Sequence, residues 1–250
     1  MSLPVHLVPS LDGLFAGSAV GSTVEVTGDE AHHAVAVRRL RVGEEVVLTD
    51  GAGHRVVGAV AETGKRVFSV TVASASFLDR PSPTFTVVQA LPKGDRGELA
   101  VEVLTEIGVD TIVPWAASRS VAVWKGERAA KSHAKWQATA REAGKQSRRS
   151  WLPTVTPLAS TPEVATRLSD AALVAVLHED ATTSLASLDV PAAGEIVVIV
   201  GPEGGIAPDE LAAFEAAGAV TVRLGDEVLR TSTAGLAAVS ALLARTPRWG

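Results

Sequence analysis

At 250 residues and 25.8 kDa, with 46% hydrophobic side chains, the chain is long enough to bury a sizeable core without staples. Its 22 glycines and 13 prolines follow no period, which excludes collagen, coiled coil and wholesale disorder, and the lack of cysteine excludes disulfides, thiol catalysis and Cys-containing zinc sites. A formal net charge of −5 ordinarily argues against a nucleic-acid partner, but it is unevenly spread.

The opening MSLPVHLVPS has no basic start leading into an apolar stretch, and no apolar run reaches the ~18 residues of a membrane span. Neither secretion nor membrane insertion is expected, and the cytoplasm is the expected compartment. From Ser22 to Ala73, short alternating runs are punctuated by turns: EVVLTDGAGHRVVGAV alternates about DGAG, and GKRVFSVTVAS follows another glycine. This pattern predicts a small, mostly antiparallel β-barrel of about five or six strands. A short helix is expected through Ala31 to Arg39, with Asp29 as its candidate N-cap. FLDRPSPTF, carrying Pro81 and Pro83, reads as a linker, which divides the chain into 1–76, 77–83 and 84–250.

Beyond the linker, strands and helices alternate. TFTVVQAL (84–91) is an apolar run, ELAVEVLTEIG (98–108) is helical with Gly108 as its stop, and DTIVPW is a short strand. After a basic helix come ALVAVLHE (172–179), GEIVVIVG (194–201), PDELAAFEAAG (208–218), AVTVRLG (219–225) and TSTAGLAAVSALLA (231–244). Uninterrupted apolar strands followed by helices predict an α/β domain whose parallel sheet is covered on both faces, with its ligand beyond the carboxyl ends of the strands.

Divided along the chain, residues 1–83 carry −2, residues 84–153 carry +4 and residues 154–250 carry −7. Between Arg119 and Arg149 nine cations face only Glu127 and Glu142, a net +7. The segment from about Glu127 to Ser147 reads as a helix: at ~100° per residue, Ala129, Trp136, Ala140, Ala143 and Ser147 share one stripe, and the cations spread over the opposite half. That half is either a solvated face or a phosphate-binding one, and the lack of acids at i+4 favours phosphate. Trp136 lies on the apolar stripe and is expected in the core, whereas Trp124 and Trp151 are candidates for stacking on a base.

Three loops follow strands in the α/β half: LHEDATTS, GPEGGIAP and LGDEVLRTSTAG. The chain has no G-x-x-x-x-G-K-[ST] and no G-x-G-x-x-G after a strand, and Glu203 places negative charge where a polyphosphate needs none. A carboxylate in a glycine-rich loop suits an amine, a hydroxyl or a cation, or simply braces the turn. No G-x-S-x-G elbow occurs. His32 and His33 are adjacent, so a helix splays them and prevents shared ligation; no metal site is expected.

Taken together, LPKGDR (91–96), TEIGVDTIVPWAASRS (105–120), EAGKQSRR (142–149), LHE (177–179), GPEGG (201–205) and LGDEVLRTSTAGL (224–236), with HHAVAVRRLRVGEEV (32–46), resemble in order and spacing the RsmE-type ribosomal RNA methyltransferases. The resemblance implies methyl transfer from S-adenosyl-L-methionine to N3 of one uridine in 16S ribosomal RNA or the small ribosomal subunit. It also implies an N-terminal PUA-like RNA-binding barrel, a C-terminal SPOUT domain with a trefoil knot, and a homodimer. The alternatives are another knotted methyltransferase, acting on tRNA or a ribose hydroxyl, and a non-catalytic ribosome-assembly RNA-binding protein.

On this resemblance the cofactor pocket falls on Leu177, His178 and Glu179, on Gly201, Pro202, Glu203, Gly204, Gly205 and Ile206, and on Leu224, Gly225, Val228, Leu229 and Arg230. Arg230 is the catalytic candidate, able to stabilise a developing uracil anion, and Thr231 and Thr233 are candidate caps of the last helix. RNA contacts are expected from Arg38 and Arg39, with Arg41 extending the footprint, and from Lys93, Arg96, Arg119, Lys131, Lys135, Lys145, Arg148 and Arg149. The chain departs from the family pattern at Ser118, where a Glu is usual, at Asp226 and Glu227, where Pro and Arg are common, and at Ser232, where Glu is common.

Overall fold

The computed structural model describes residues 3–15 and 19–249. Two compact units emerge: Met1–Arg80 with Lys145–Leu152, and Pro81–Gly144 with Pro153–Gly250.

The first unit is built on β1 (Val5–Leu7), β2 (Thr23–Thr27), β3 (Glu45–Thr49), β4 (His54–Gly64) and β5 (Val67–Phe77), in the sheet order β1-β3-β4-β5-β2. All pairings are antiparallel except β1 on β3. The expected alternation sends Val46, Leu48, Val56, Val60, Phe68, Val70 and Val72 into one core. At Gly58, beside a register shift, a Cβ would collide with the Thr71 carbonyl oxygen, so only glycine lets β4 approach β5 there. The one-turn helix α1 (Asp12–Phe15) follows β1, and α2 (Gly28–His32) runs on into a π-helical turn at His33–Val37. The N-cap of α2 is Thr27, not Asp29. Asp29 sits in the first turn, where it suits the helix dipole, and pairs with Arg66.

Lys145–Leu152 completes this unit like a strap. The Gly53 amide donates to the Ser150 carbonyl (2.8 Å), the Leu152 amide to the Gly51 carbonyl (2.9 Å), and the Trp151 indole N–H to the Leu78 carbonyl (2.8 Å). At its other end Lys145 Nζ donates to Glu30 Oε2 at 2.7 Å, and His6 Nδ1 lies 3.1 Å from Glu30 Oε1. Burial pushes the Glu30 carboxyl up, but the hydrogen bonds from His6 and Lys145 and the lysine's charge outweigh it and hold the group down at about 2.

The second unit is a seven-stranded, wholly parallel sheet of β6 (Thr84–Ala90), β7 (Thr111–Trp115), β8 (Thr154–Val155), β9 (Leu173–Leu177), β10 (Thr183–Ser184), β11 (Glu195–Val200) and β12 (Val220–Arg223). Its order is β10-β12-β9-β11-β6-β7-β8. Helices α3 (Arg96–Ile107), α4 (Glu127–Gln146), α5 (Thr161–Arg167) and α6 (Pro208–Ala216) connect strands, and α7 (Thr231–Leu243) follows the last of them. Because both faces are covered, Val197 and Ile199 pack into one core while Ile196, Val198 and Val200 pack into the other. Helix α3 stops where predicted, at Gly108 with φ +106°.

Within this unit α4 presents the expected apolar stripe: Trp136, Ala140, Ala143 and Gly144 are buried. A Cβ at Gly97 would lie 2.9 Å from the Trp136 indole nitrogen, so the missing side chain on α3 is what admits the ring. Trp124 packs edge-on against Trp136 with centroids 5.0 Å apart. In the first unit, Trp151 packs against Phe77 and under Arg80. Both candidate stacking tryptophans therefore use their rings in packing. Among the described residues no helix is long and apolar enough to cross a membrane.

Candidate functional site

Strands β9, β11 and β12 end side by side, and the loops leaving their carboxyl ends wall a cavity of about 570 Å³. The fourteen residues expected at the cofactor pocket, from Leu177 to Arg230, all line it, together with Arg96, Arg119 and Arg223. The cause lies in the β-sheet: adjacent parallel strands deliver all their outgoing loops to one edge, however far apart those loops are in sequence.

The loops are fixed by specific close approaches. At Gly204 a Cβ would meet the Arg119 carbonyl oxygen at 2.9 Å and the Arg119 Cβ at 3.1 Å. Glycine there lets the Arg119 segment lie against the GPEGG turn, and Arg119 returns a guanidinium hydrogen bond to the Gly204 carbonyl (3.4 Å). Gly205 has φ +73°, which favours glycine over any L side chain. Glu203 braces the neighbouring loop: Lys93 N–H donates to its Oε1 (3.2 Å), and the Arg96 guanidinium stands 3.9 Å away. Lys93 and Arg96 also line a second concavity of about 680 Å³ that shares Arg96 and Glu203 with the first.

Glu210 stands in the first turn of α6, where its charge suits the helix dipole, and it also bonds well beyond its own helix. Only 4% exposed, it accepts from the Ser118 amide (2.8 Å) and the Thr161 hydroxyl (2.9 Å) through Oε1, and from the Ala207 amide (3.2 Å) through Oε2. One carboxylate thus caps its own helix and ties down the segment that leads into Arg119. Ser118 contributes its backbone here, so the bond is indifferent to the side chain at that departure from the family pattern. A helix-start Glu in the sequence gives no sign of partners this distant.

Arg230 is the N-cap of α7 by backbone conformation, with its carbonyl accepting from the Thr233 and Ala234 amides at 2.9 Å each. Neither Thr231 nor Thr233 caps the helix by its side chain; the Thr233 hydroxyl donates back to the Arg230 carbonyl (3.3 Å). The Arg230 side chain is exposed and lines the cavity at the positive end of the helix dipole. Asp226, at a second departure, pairs with Arg223 at 3.2 Å, and Ser232, at a third, is buried.

The cations expected on RNA differ in their surroundings. Lys131 is exposed on α4, and Arg38 and Arg39 are exposed beyond the π-helical turn. Lys135 is exposed too but pairs with Glu98 of α3 at 2.9 Å, the acid that sequence spacing along α4 could not reveal. Lys145 is committed to Glu30 in the first unit, with side chains only 13% and 11% exposed, a structural use of a cation that charge counting had assigned to phosphate. Arg148 and Arg149 lie on the strap.

The RNA methyltransferase domain family matches residues 80–243, and the RNA methyltransferase PUA domain family matches residues 26–72. The chain is 46% identical to ribosomal RNA small subunit methyltransferase E of Mycobacterium bovis, over 92% of this chain and 89% of that protein. Against the protein of the same name from Bacillus subtilis the identity is 29%, over 90% and 91%. A crystal structure of ribosomal RNA small subunit methyltransferase E from Neisseria gonorrhoeae bound to S-adenosyl methionine superposes with a TM-score of 0.86 over 98% of each chain, at 29% identity. The parallel α/β unit, the PUA-like unit and these likenesses agree: the chain belongs to the ribosomal RNA small subunit methyltransferase E family.

Proposed function

We propose that this protein methylates ribosomal RNA of the small subunit with S-adenosyl-L-methionine as donor, and that the target atom is N3 of one uridine in 16S ribosomal RNA. The observation that carries the reading is the cavity walled by the three loops beyond β9, β11 and β12. Its volume of about 570 Å³ lies within the range of small-molecule sites, ~300–1,000 Å³. Leu177, Val200, Ile206, Leu224 and Ala234 offer apolar wall for an adenosine, while Glu179, Glu203, Asp226 and Glu227 offer carboxylates to a cationic ligand. The residues present therefore fit the donor.

S-adenosylmethionine supplies a methyl group already activated on a sulfonium. The chain's own work is then to hold donor and base in line and to stabilise charge on the base as its N3 proton leaves. Arg230 suits the second of these roles, because its guanidinium and the positive end of α7 both favour a developing uracil anion. A base paired within folded RNA is out of reach, so the uridine is expected unpaired or flipped. Lys93, Arg96 and Arg119, at the cavity's edge, suit the flanking phosphates. The same proposal includes a trefoil-knotted path through the glycine loops, a homodimer, and a division of labour in which the first unit, strap included, docks RNA and the second transfers the methyl group, so that the expected 84–250 domain gives up Lys145–Leu152 to the barrel.

Nucleoside analysis of ribosomal RNA from cells lacking the protein tests the reading. N3-methyluridine is expected to vanish from 16S RNA and to return with the unaltered gene. An unchanged level would overturn the assignment to N3 of uridine, and no calorimetric binding of S-adenosylmethionine at millimolar ligand would overturn the methyltransferase reading as a whole.

A further inference from the structure

Strand β3 is buried on both sides, although a barrel strand normally turns one side to water. Val46 and Leu48 face the barrel core. Val47 and Thr49 point the other way and are still only 3% and 2% exposed. The residues that share a cavity with them explain this: Arg148, Arg149 and Ser150 of the strap, with Arg55, the register partner of Thr49 on β4. The cavity measures about 240 Å³, and Leu3, Val5 and Val47 supply its apolar lining.

Three arginines thus line one small concavity, Arg149 donating its Nε–H to the Trp151 carbonyl (2.8 Å), and among the described residues lining it there is no Asp or Glu. Arg55 and Arg148 are exposed and form no ion pair among the described residues. Arg148 also has φ +58°, a backbone conformation that favours glycine. Like charges that line one concavity repel, and an anion bound there offsets the repulsion. The strap is anchored on both sides, by Lys145 to Glu30 and by Ser150 and Leu152 to the Gly51–Gly53 turn, so the backbone that carries Arg148 is held in place.

We propose that Arg55 and Arg148, in this cavity, bind a single backbone phosphodiester of the RNA, giving the barrel unit a phosphate site of its own. The inference rests on the RNA-methyltransferase reading and extends it. Arginine's planar fork matches two phosphate oxygens at once. The volume is below the ~300 Å³ at which small-molecule pockets begin, which favours one phosphate group over a whole nucleotide. The sequence hid the site because Arg55 and Arg148 stand far apart along the chain and Arg148 looked like a continuation of the basic helix.

The test uses the full-length protein with Arg55→Ala and Arg148→Gly combined. Glycine suits the left-handed turn, so the second change removes charge while relieving the backbone. Affinity for 16S ribosomal RNA transcribed in vitro is measured at several potassium chloride concentrations, alongside calorimetry with S-adenosylmethionine. The double variant is expected to bind RNA at least tenfold more weakly, with the log–log salt slope reduced by roughly 0.7–0.9 for each phosphate that is no longer neutralised, and to bind S-adenosylmethionine as before. Parental RNA affinity and slope in the double variant would overturn the proposal, and thermal stabilisation of the parent alone by inorganic phosphate would then assign the cavity to free phosphate. If the unaltered protein itself binds no RNA, the underlying RNA reading fails as well, which distinguishes the two failures.

Discussion

Replacing Glu210 tests whether one buried carboxylate sets the position of the Arg119 segment. Glu210→Ala leaves three donors without their acceptor: the Ser118 amide, the Thr161 hydroxyl and the Ala207 amide. The Ala207 amide is buried and loses its partner outright, about 1–3 kcal/mol, whereas the other two are partly reached by water and lose about 0.5–1.5 kcal/mol each. The expected loss is about 3 kcal/mol, or roughly 6–12 °C in melting temperature for a chain of this size. Glu210→Gln keeps one acceptor oxygen and should lose only about 1–2 kcal/mol. Urea titration of both variants gives the stability, and calorimetry with S-adenosylmethionine gives the consequence at the site, an affinity lowered by about tenfold in the Ala variant. If Glu210→Ala is within about 0.5 kcal/mol of the parent, the three hydrogen bonds are not ties and the Arg119 segment is held in place by other means.

Three other perturbations probe different parts. Gly204→Val drives a side chain into the Arg119 backbone and should abolish S-adenosylmethionine binding while circular dichroism reports a folded chain; retained binding would mean that Gly204 does not shape the pocket. Glu30 titrates at about 2 in the folded chain against an ordinary 4.5, so its contribution is complete above about 4.5 and is lost as pH falls toward 2. After allowance for solvent screening it amounts to about 1–2 kcal/mol, and Lys145→Met should flatten that acid limb of the stability–pH curve; an unaltered limb would mean that the pair does not hold the strap. Arg230→Ala should lower the single-turnover methylation rate by about 10²-fold and change S-adenosylmethionine affinity little; the opposite split would make Arg230 a binding residue.

The parallel sheet was legible because a strand covered on both faces has to be apolar at every position, as EIVVIV nearly is in β11. Once β9, β11 and β12 were recognised, the three loops after them were bound to gather at one edge, and Leu177 through Arg230 line one cavity there. What a linear reading misses is pairing at a distance. Lys145 and Glu30 are 115 residues apart, and Ser118 and Glu210 are 92 apart, so periodicity carries no trace of either contact. Charge counting therefore located the excess of cations between Arg119 and Arg149 but gave Lys145, which is folded into an ion pair, the same role as exposed Lys131.

The strap also constrains how the chain can assemble as it is made. The chain crosses from one compact unit to the other three times, after Arg80, Gly144 and Leu152, so the barrel is not finished when its last strand leaves the ribosome. Until Lys145 emerges Glu30 has no lysine partner, and until Trp151 and Leu152 follow, the Gly51–Gly53 turn lacks its cover. At ~5–20 residues per second of synthesis that interval lasts several seconds. The nascent barrel waits through it incomplete while most of the basic helix is translated, and a chain cut after residue 80 would keep it in that state permanently.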